Sequence, residues 1–352
     1  MTLNGYSTHH RTLITIFGAL TYTTYTLKTA VVILNWNGKD LLDRFLPSVL
    51  HNSESADIYV ADNASTDDSI HVLKQKFPQV HIIQNLGNGG YAKGYNDALK
   101  TIEADVFCLL NNDIEVTKNW LSPIISEFKA NADTAIIQPK ILDYKNKTHF
   151  EYAGAAGGFI DKYGFAFCRG RIFETVEKDN GQYDDTSSIF WASGACLFIR
   201  KSAFESLNGF DESYFAHFEE IDLCWRAFNL GLQTKYVGTS AVYHVGGATL
   251  NSSNPKKTFL NFRNSLFTIT KNAHGFLFGI IFIRLVLDGI AGLKFLFSFQ
   301  ISHFFAVLKA HFAFYVYLPR LLKIRKQLPK KENYYDRRSI VWSYYIRKRY
   351  RY

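Results

Sequence analysis

Strand-type and helix-type segments alternate four times between Thr29 and Leu110, and this alternation restricts the fold of the 352-residue chain more than any other feature. Thr29 to Asn35 (TAVVILN) is a continuous β-branched run suited to a strand buried on both faces, and Trp36-Asn37-Gly38 ends it. Leu41, Leu42, Phe45, Leu46, Val49 and Leu50 recur at helical spacing, with Pro47 expected to kink that helix. Ile58 to Ala61 reads as a second strand, followed by Asp62 to Asp68, whose carboxylates suit the start of a helix from about Asp67 to Phe77. A strand at Val80 to Gln84, a glycine-rich turn at Asn85 to Gly94, a helix to Ile102 and a strand at Val106 to Leu110 complete the series. This order predicts an α/β fold with a mostly parallel, doubly wound sheet, whose ligands bind beyond the carboxyl ends of the strands.

Beyond Pro139 the rhythm changes. Gly154, Gly157, Gly158 and Gly164 mark a looser segment, and Asp179 to Ser188 is polar enough to be a mobile loop. Ile189 to Ile199 is expected as a strand, Phe218 to Asn229 as a helix stopped at Gly231, and Thr234 to Val237 and Ala241 to His244 as two short strands. The expected division is an N-terminal extension over 1–28, a catalytic domain over 29–270, an apolar helical segment over 271–325 and a basic tail over 326–352.

Charge is concentrated in that tail. From Arg320 to Tyr352 there are twelve basic residues against two acidic ones, a balance of +10, whereas the whole chain carries +9; the remainder is therefore close to neutral, at −1. No nucleic-acid-reading motif accompanies the tail, so nucleic acid is not the expected partner. The four cysteines, Cys108, Cys168, Cys196 and Cys224, lie far apart without a CxxC pair, which fits reduced buried thiols in a reducing compartment.

Polar residues collect where strands end. Asn35 and Asn37, Asp62, Asn111-Asn112-Asp113, the cluster Glu219-Glu220-x-Asp222 and His244 are candidate site residues. Singly, each also reads as a turn residue, a favourable charge at a helix N-terminus or a structural histidine. Together they match VVILNWNG (31–38), VADNASTD (60–67), NLGNGGYAKGYNDAL (85–99), LLNND (109–113), ASGACLFIRKSAFESLNGFDESYF (192–215), EEIDLCWR (219–226) and VYHVGG (242–247). In order and spacing these motifs resemble glycosyltransferase family 2, in its rhamnosyltransferase-like branch, over about residues 29–265.

The resemblance implies a GT-A nucleotide-diphospho-sugar transferase fold, Rossmann-like with a mixed, mostly parallel sheet, here with a C-terminal helical appendage. It also implies an inverting transfer from a nucleotide-sugar donor, UDP- or dTDP-linked by preference, to a hydroxyl of a glycan or lipid-linked acceptor, aided by Mg²⁺ or Mn²⁺. Asp113 matches the second acid of the family's Asp-x-Asp motif, with Asn111 in place of the first, and His244 matches a further metal ligand. Glu220 falls at the position of the catalytic base. Asn35, Asn37, Asp62 and Asn112 match the nucleotide side; Ser193, Gly194, Ala195, Glu219 and Asp222 match the side of the transferred sugar and acceptor. Asn96 and Arg263 are weaker candidates.

Three other readings compete, of which a processive polysaccharide synthase is disfavoured because no QxxRW-type motif or set of long membrane spans appears in the sequence. Gly87-x-Gly89-x-x-Ala92 is a legal dinucleotide fingerprint, as in an NAD(P)-dependent oxidoreductase, but it follows the third strand rather than the first. A non-catalytic sugar-nucleotide-binding module would bind the donor without turnover. In the appendage, Arg284, Asp288 and Lys294 interrupt the apolar run from Phe276 to Phe299, and with Ser298 they form one polar stripe at helical spacing. An anchor lying in the plane of an anionic membrane surface is the expectation, placing the enzyme in the cytoplasm at the inner face of the cell membrane. A helical hairpin packed on the catalytic domain or at a homo-oligomer interface is the alternative.

Overall fold

The computed structural model describes residues 27–246 and 253–352; nearly all of the expected extension over 1–28, and Gly247 of VYHVGG, lie outside the described residues. The first half follows the sequence pattern: β1 (Thr29–Asn35), α1 (Lys39–Asn52), β2 (Ala56–Asp62), α2 (Ser69–Lys76), β3 (His81–Gln84), α3 (Gly90–Leu99) and β4 (Val106–Asn111). The parallel order β3-β2-β1-β4 brings the carboxyl ends of β1, β2 and β4 to one edge, because each helix returns the chain to the same starting side. α1 runs on through Pro47 without a break.

The second half makes the sheet mixed. β5 (Ile114–Val116), α4 (Leu121–Ala130) and β6 (Thr134–Asp143) follow, then four short strands, β7 (Gly158–Ile160), β8 (Ala166–Cys168), β9 (Arg171–Ile172) and β10 (Thr175–Val176), which form a small sheet of their own. β11 (Thr186–Ser188), β12 (Cys196–Arg200), α5 (Lys201–Ser206), α6 (Glu219–Asn229) and β13 (Gln233–His244) finish the body. β12 inserts antiparallel between β4 and β6, while β13 runs parallel to β6.

Three expectations are corrected here. The run Ile189–Ile199 is not one strand, since the chain turns at Ser193, with Cys196 N–H donating to Ser193 C=O; before the turn only Trp191 bridges to Gly158 of the small sheet, and the strand proper, β12, begins at Cys196. The two short strands over 234–244 are a single β13 with a register shift between Val237 and Ala241. The polar segment 179–188 is tied down rather than loose: Lys140, buried, pairs with Asp179 at 2.9 Å and with Asp184, and Arg169 pairs with Asp185 at 2.9 Å. All four cysteines are buried and none is in a disulfide.

Among the described residues, three long helices follow β13: α7 (Pro255–Asn272), α8 (Leu277–Phe297) and α9 (Ile301–Gln327). α7 packs on both the body and α9, and α8 and α9 form a hairpin. The polar stripe of α8 divides. Arg284 and Asp288 point inward, where Arg284 donates to Asp288 (2.8 Å), to the Ser265 hydroxyl (2.7 Å) and to Tyr163 C=O (3.2 Å), and stacks 3.9 Å from the Phe165 ring. Lys294 stays exposed. Apolar residues therefore face outward: Phe278, Phe282, Ile290 and Phe297 on α8, and Phe305, Phe312 and Val316 on α9, are each 59–78% exposed. A water-facing helix is the reverse, polar outside and apolar inside.

The basic tail does not hang free. Residues 334–346 return to the small sheet: Asp336 N–H donates to Ile160 C=O (3.1 Å), Lys162 N–H donates to Arg337 C=O (3.0 Å), and the Tyr334 hydroxyl donates to Lys162 C=O (2.8 Å). The fully buried Asp161 fastens this junction, accepting from Tyr163, Phe165 and Ile340 N–H at 2.9 Å each. Burial pushes its carboxyl up to about 6, against the pull of those donors and of Arg284. Asp161→Ala leaves three donors without acceptors at about 1–3 kcal/mol each where they stay buried. The expected result is a lowered Tm and tryptic cleavage after Arg337 and Arg338; a variant as protease-resistant as wild type would contradict this role.

Candidate active site

Four strand ends and one helix start build the site. At the end of β1, Asn35 is fully buried and its amide links two neighbours: Nδ2 donates to Asp62 Oδ1 (3.0 Å) at the end of β2, and Oδ1 accepts from Asn112 Nδ2 (2.9 Å) beyond β4. Asp62, also buried, accepts further from the Ser65 hydroxyl (2.5 Å) and Ser65 N–H (2.9 Å). Asn37 adopts a left-handed conformation (φ 49°), and its side-chain oxygen accepts from Thr66 N–H at 2.7 Å. Gly38 is required by close packing, because a Cβ there would lie 2.3 Å from Asn112 Nδ2 and 2.4 Å from Asn35 Oδ1. The structure thus brings Asn35, Asn37, Asp62 and Asn112 into one network.

The second group forms where β13 ends beside the turn after β4. His244 Nε2 lies 3.1 Å from Asp113 Oδ1 and 3.4 Å from Asn111 Nδ2, and its Nδ1 lies 3.4 Å from Glu151 Oε1. Asp113, His244 and Glu151 are all buried. Burial disfavours the charged ring, but the carboxylates of Asp113 and Glu151 outweigh it and raise the His244 pKa to about 10. Glu151 carries no motif signal, since it stands alone in the loose segment after β6.

The third group surrounds the start of α6. Glu219 is buried and Glu220 half-buried, and one carboxylate oxygen of each is enclosed without a hydrogen-bond partner. Burial pushes Glu220 up to about 7 against local backbone N–H donors. Burial, then the neighbouring charge of Glu220, holds Glu219 well above the ordinary carboxylate range. Burial raises the phenol of Tyr91, on α3, and Tyr95, then Glu219 and Glu220, raise it further. The Tyr91 hydroxyl donates to Gly194 C=O at 2.8 Å. Because Asn111 N–H donates to Ala195 C=O (3.0 Å), the turn Ser193-Gly194-Ala195 connects the acidic pair with the Asp113–His244 group. Tyr91 and Ser65 both lie inside the family motifs, next to residues whose charge or amide groups are the stronger sequence signal.

Asp222 turns away from this group. Its oxygens accept from Asn272 Nδ2 (2.8 Å), Lys271 Nζ (2.9 Å) and Arg226 Nε (2.9 Å), all structural partners. Asn96 holds Phe210 through both of its backbone groups, and Arg263 reaches Ser213 C=O. The Gly87–Ala92 fingerprint opens α3 after β3, the last strand on its side of the sheet, and Gly90 (φ 80°) backs onto Phe215 C=O rather than onto an open phosphate cradle.

Among the described residues, no group of three or more His, Cys, Asp and Glu side chains is arranged to hold a metal by itself. The Asp113–His244 pair still suits one. A carboxylate oxygen and an imidazole nitrogen 3.1 Å apart match neighbouring corners of an octahedron with ligand distances of about 2.1 Å, and such a pair leaves corners for phosphate oxygens and water.

Sheet order, strand-end polar network and helical closure define a GT-A fold. The model of glycosyl transferase family 2 matches residues 30–207, half of the chain, and the protein belongs to that family and is a glycosyltransferase. Glu219, Glu220, Asp222 and His244 lie beyond the matched stretch. The chain is 26% identical over 233 residues, 61% of its length and 75% of the relative's, to the N-acetylglucosaminyl-diphospho-decaprenol L-rhamnosyltransferase of Mycobacterium tuberculosis. It is 25% identical to the rhamnosyltransferase WbbL of Escherichia coli, covering 61% of this chain and 82% of that one. Among solved structures, GalNAc-T7 with UDP, GalNAc and Mn²⁺ superposes at TM-score 0.54 (17% identity, 70% of this chain and 48% of that one). The mannosyltransferase PcManGT of Pyrobaculum calidifontis with GDP-Man and Mn²⁺ superposes at 0.52 (10% identity, 86% and 85%). At these identities the likeness concerns the fold.

Proposed function

We propose that this glycosyltransferase moves a sugar, with inversion, from a UDP- or dTDP-sugar to a hydroxyl of a lipid-linked glycan in surface-polysaccharide synthesis. The observation that carries this reading is the pair of enclosed, unpartnered carboxylate oxygens on Glu219 and Glu220, near Tyr91, whose hydroxyl holds the Gly194 carbonyl. Glu220 takes the proton of the acceptor hydroxyl as that oxygen attacks the anomeric carbon; the carbon–oxygen bond to the diphosphate breaks and the nucleoside diphosphate leaves. Asn35, Asn37 and Asn112 hold the nucleotide end. Asp62 keeps lone-pair capacity on Oδ2, which accepts from only one N–H, for the imide N–H of a uracil or thymine base. Asp113 and His244 would hold Mg²⁺ or Mn²⁺, which supplies neutralisation of the charge developing on the diphosphate.

The acceptor side faces lipid in this reading. Apart from the buried Asp288 there is no acidic residue from Ala273 to Lys331, whereas Lys294, Lys309, Arg320, Lys323, Arg325, Lys326 and Lys330 are basic. An apolar outer face flanked by cations suits an anionic leaflet, and it supports a peripheral position at the inner membrane face. The relative named an N-acetylglucosaminyl-diphospho-decaprenol L-rhamnosyltransferase supports a lipid-linked acceptor.

A panel of nucleotide sugars, each with and without Mn²⁺ and EDTA, tests the function through nucleoside diphosphate release. One UDP- or dTDP-sugar is expected to turn over in a metal-dependent manner. Asp113→Asn is expected to lower that rate at least ~100-fold and to raise the Mn²⁺ needed for half-activation. Donor binding without turnover in the wild type, with acceptor lipid present, would overturn the reading in favour of a binding module.

A further inference from the structure

The residues before the acidic pair have an unusual backbone. His217 (φ 68°) and Phe218 (φ 72°) are consecutive non-glycine residues in the left-handed region, and Phe218 is the N-cap of α6. L-residues visit that region singly and at a cost, so two in succession need support from outside the turn. The turn directs the carbonyls of Ala216 and His217 away from α6, and both converge on one side chain. Asn264 of α7, fully buried, donates from Nδ2 to Ala216 C=O (2.9 Å) and to His217 C=O (2.8 Å). Its own oxygen accepts from Arg263 Nε at 2.8 Å, which fixes the orientation of the amide. From the opposite side, Tyr91 N–H donates to Phe215 C=O at 3.0 Å, and the space at Gly90 is closed by the same carbonyl. The turn is clamped between α3 and α7, and the first turn of α6 starts from it, with Asp222 N–H donating to Phe218 C=O at 2.8 Å.

We infer that Asn264 is a positioning residue for transfer: by holding the left-handed turn 216–218 it fixes where Glu219 and Glu220 meet the acceptor hydroxyl. This rests on the reading of that acidic pair as the acid–base side of the site. An aspartate cannot make the two donations and an alanine makes neither, so both variants let the turn relax to ordinary backbone angles and swing the carboxylates. A misplacement of about 1 Å at a reacting group costs roughly 100-fold in rate. The nucleotide end lies on other strands and is untouched.

The test compares wild type, Asn264→Ala and the isosteric Asn264→Asp in the full chain. Expected are a kcat lowered ~100-fold with donor KM within about threefold, faster hydrogen exchange at residues 219–222, and unchanged exchange in β1 and β2. Glycine adopts left-handed angles without strain, so His217→Gly added to Asn264→Ala is expected to recover at least ~10-fold in kcat. A kcat within about threefold of wild type in both single variants, or donor KM worsening as much as kcat falls, or no recovery in the double variant, would overturn the inference. Exchange at 219–222 judges the clamp even if the wild type turns over no nucleotide sugar; that result would instead defeat the transferase reading of the site.

Discussion

Glu220→Gln is expected to abolish transfer, with kcat falling at least ~1,000-fold while donor binding persists. Glutamine keeps the shape of the side chain and removes its capacity to take a proton. One oxygen of Glu220 has no protein partner, and the amide oxygen of glutamine can still accept from the local backbone N–H groups, so the substitution breaks little else. Burial holds the wild-type carboxyl up to about 7, and a base works only when ionised. The acid limb of kcat/KM is therefore expected near pH 7, with activity rising as pH increases through it and lost as pH falls. Burial, then the charge of Glu220, holds Glu219 well above the ordinary carboxylate range, which disfavours its ionised form, so Glu219→Gln is expected to cost far less, under ~100-fold. Equal losses in the two variants, or a Glu220→Gln enzyme with substantial turnover, would reassign the base.

The second large effect concerns the hairpin. Replacing Phe278, Phe282, Phe305 and Phe312 by serine in the full chain is expected to abolish flotation with anionic liposomes without lowering Tm, because all four side chains are 59–73% exposed. Burying an exposed side chain of this kind in hydrocarbon contributes about 1.5–3 kcal/mol, so four of them dominate an attachment to which each nearby lysine or arginine adds about 1 kcal/mol. Raised salt should weaken flotation of the wild type only in part. Flotation equal to wild type, or a wild-type dimer that dissociates on the same substitutions without binding lipid, would assign the face to a second copy of the chain.

The sequence makes the parallel half legible because both faces of β1 and β4 are buried, so apolar runs such as TAVVILN and VFCLL have a single structural solution. Strand-end polar residues are legible for the same reason, since a carboxylate or amide directly after such a run must lie at the sheet's edge. The mixed half is harder. Whether 189–199 pairs along its whole length depends on Ser193 N–H bonding to the side chain of Gln138, fifty-five residues away, and no local pattern encodes that. Glu151 and Asn264 are invisible for a related reason: each acts across the fold on one histidine or one turn, and neither stands in a motif. Asp222 shows the opposite failure, because its place in an acidic cluster suggests a ligand while Lys271, Asn272 and Arg226 consume its charge. The stripe on α8 identifies the amphipathic character of the helix, but periodicity cannot tell which side faces the protein.

The return of the tail to Asp161 changes what the hairpin can do mechanically. α7 fixes its entry and residues 334–340 fix its exit, so the two long helices are held as a bracket bolted at both ends rather than as a leash. A leash lets a catalytic body tumble above the surface and sample every orientation. On the proposed membrane surface a doubly bolted bracket would permit one tilt and one height, and acceptors diffusing laterally would then meet the acidic pair in a constant aspect. A chain ended before residue 330 would lose one bolt, and with it that fixed aspect.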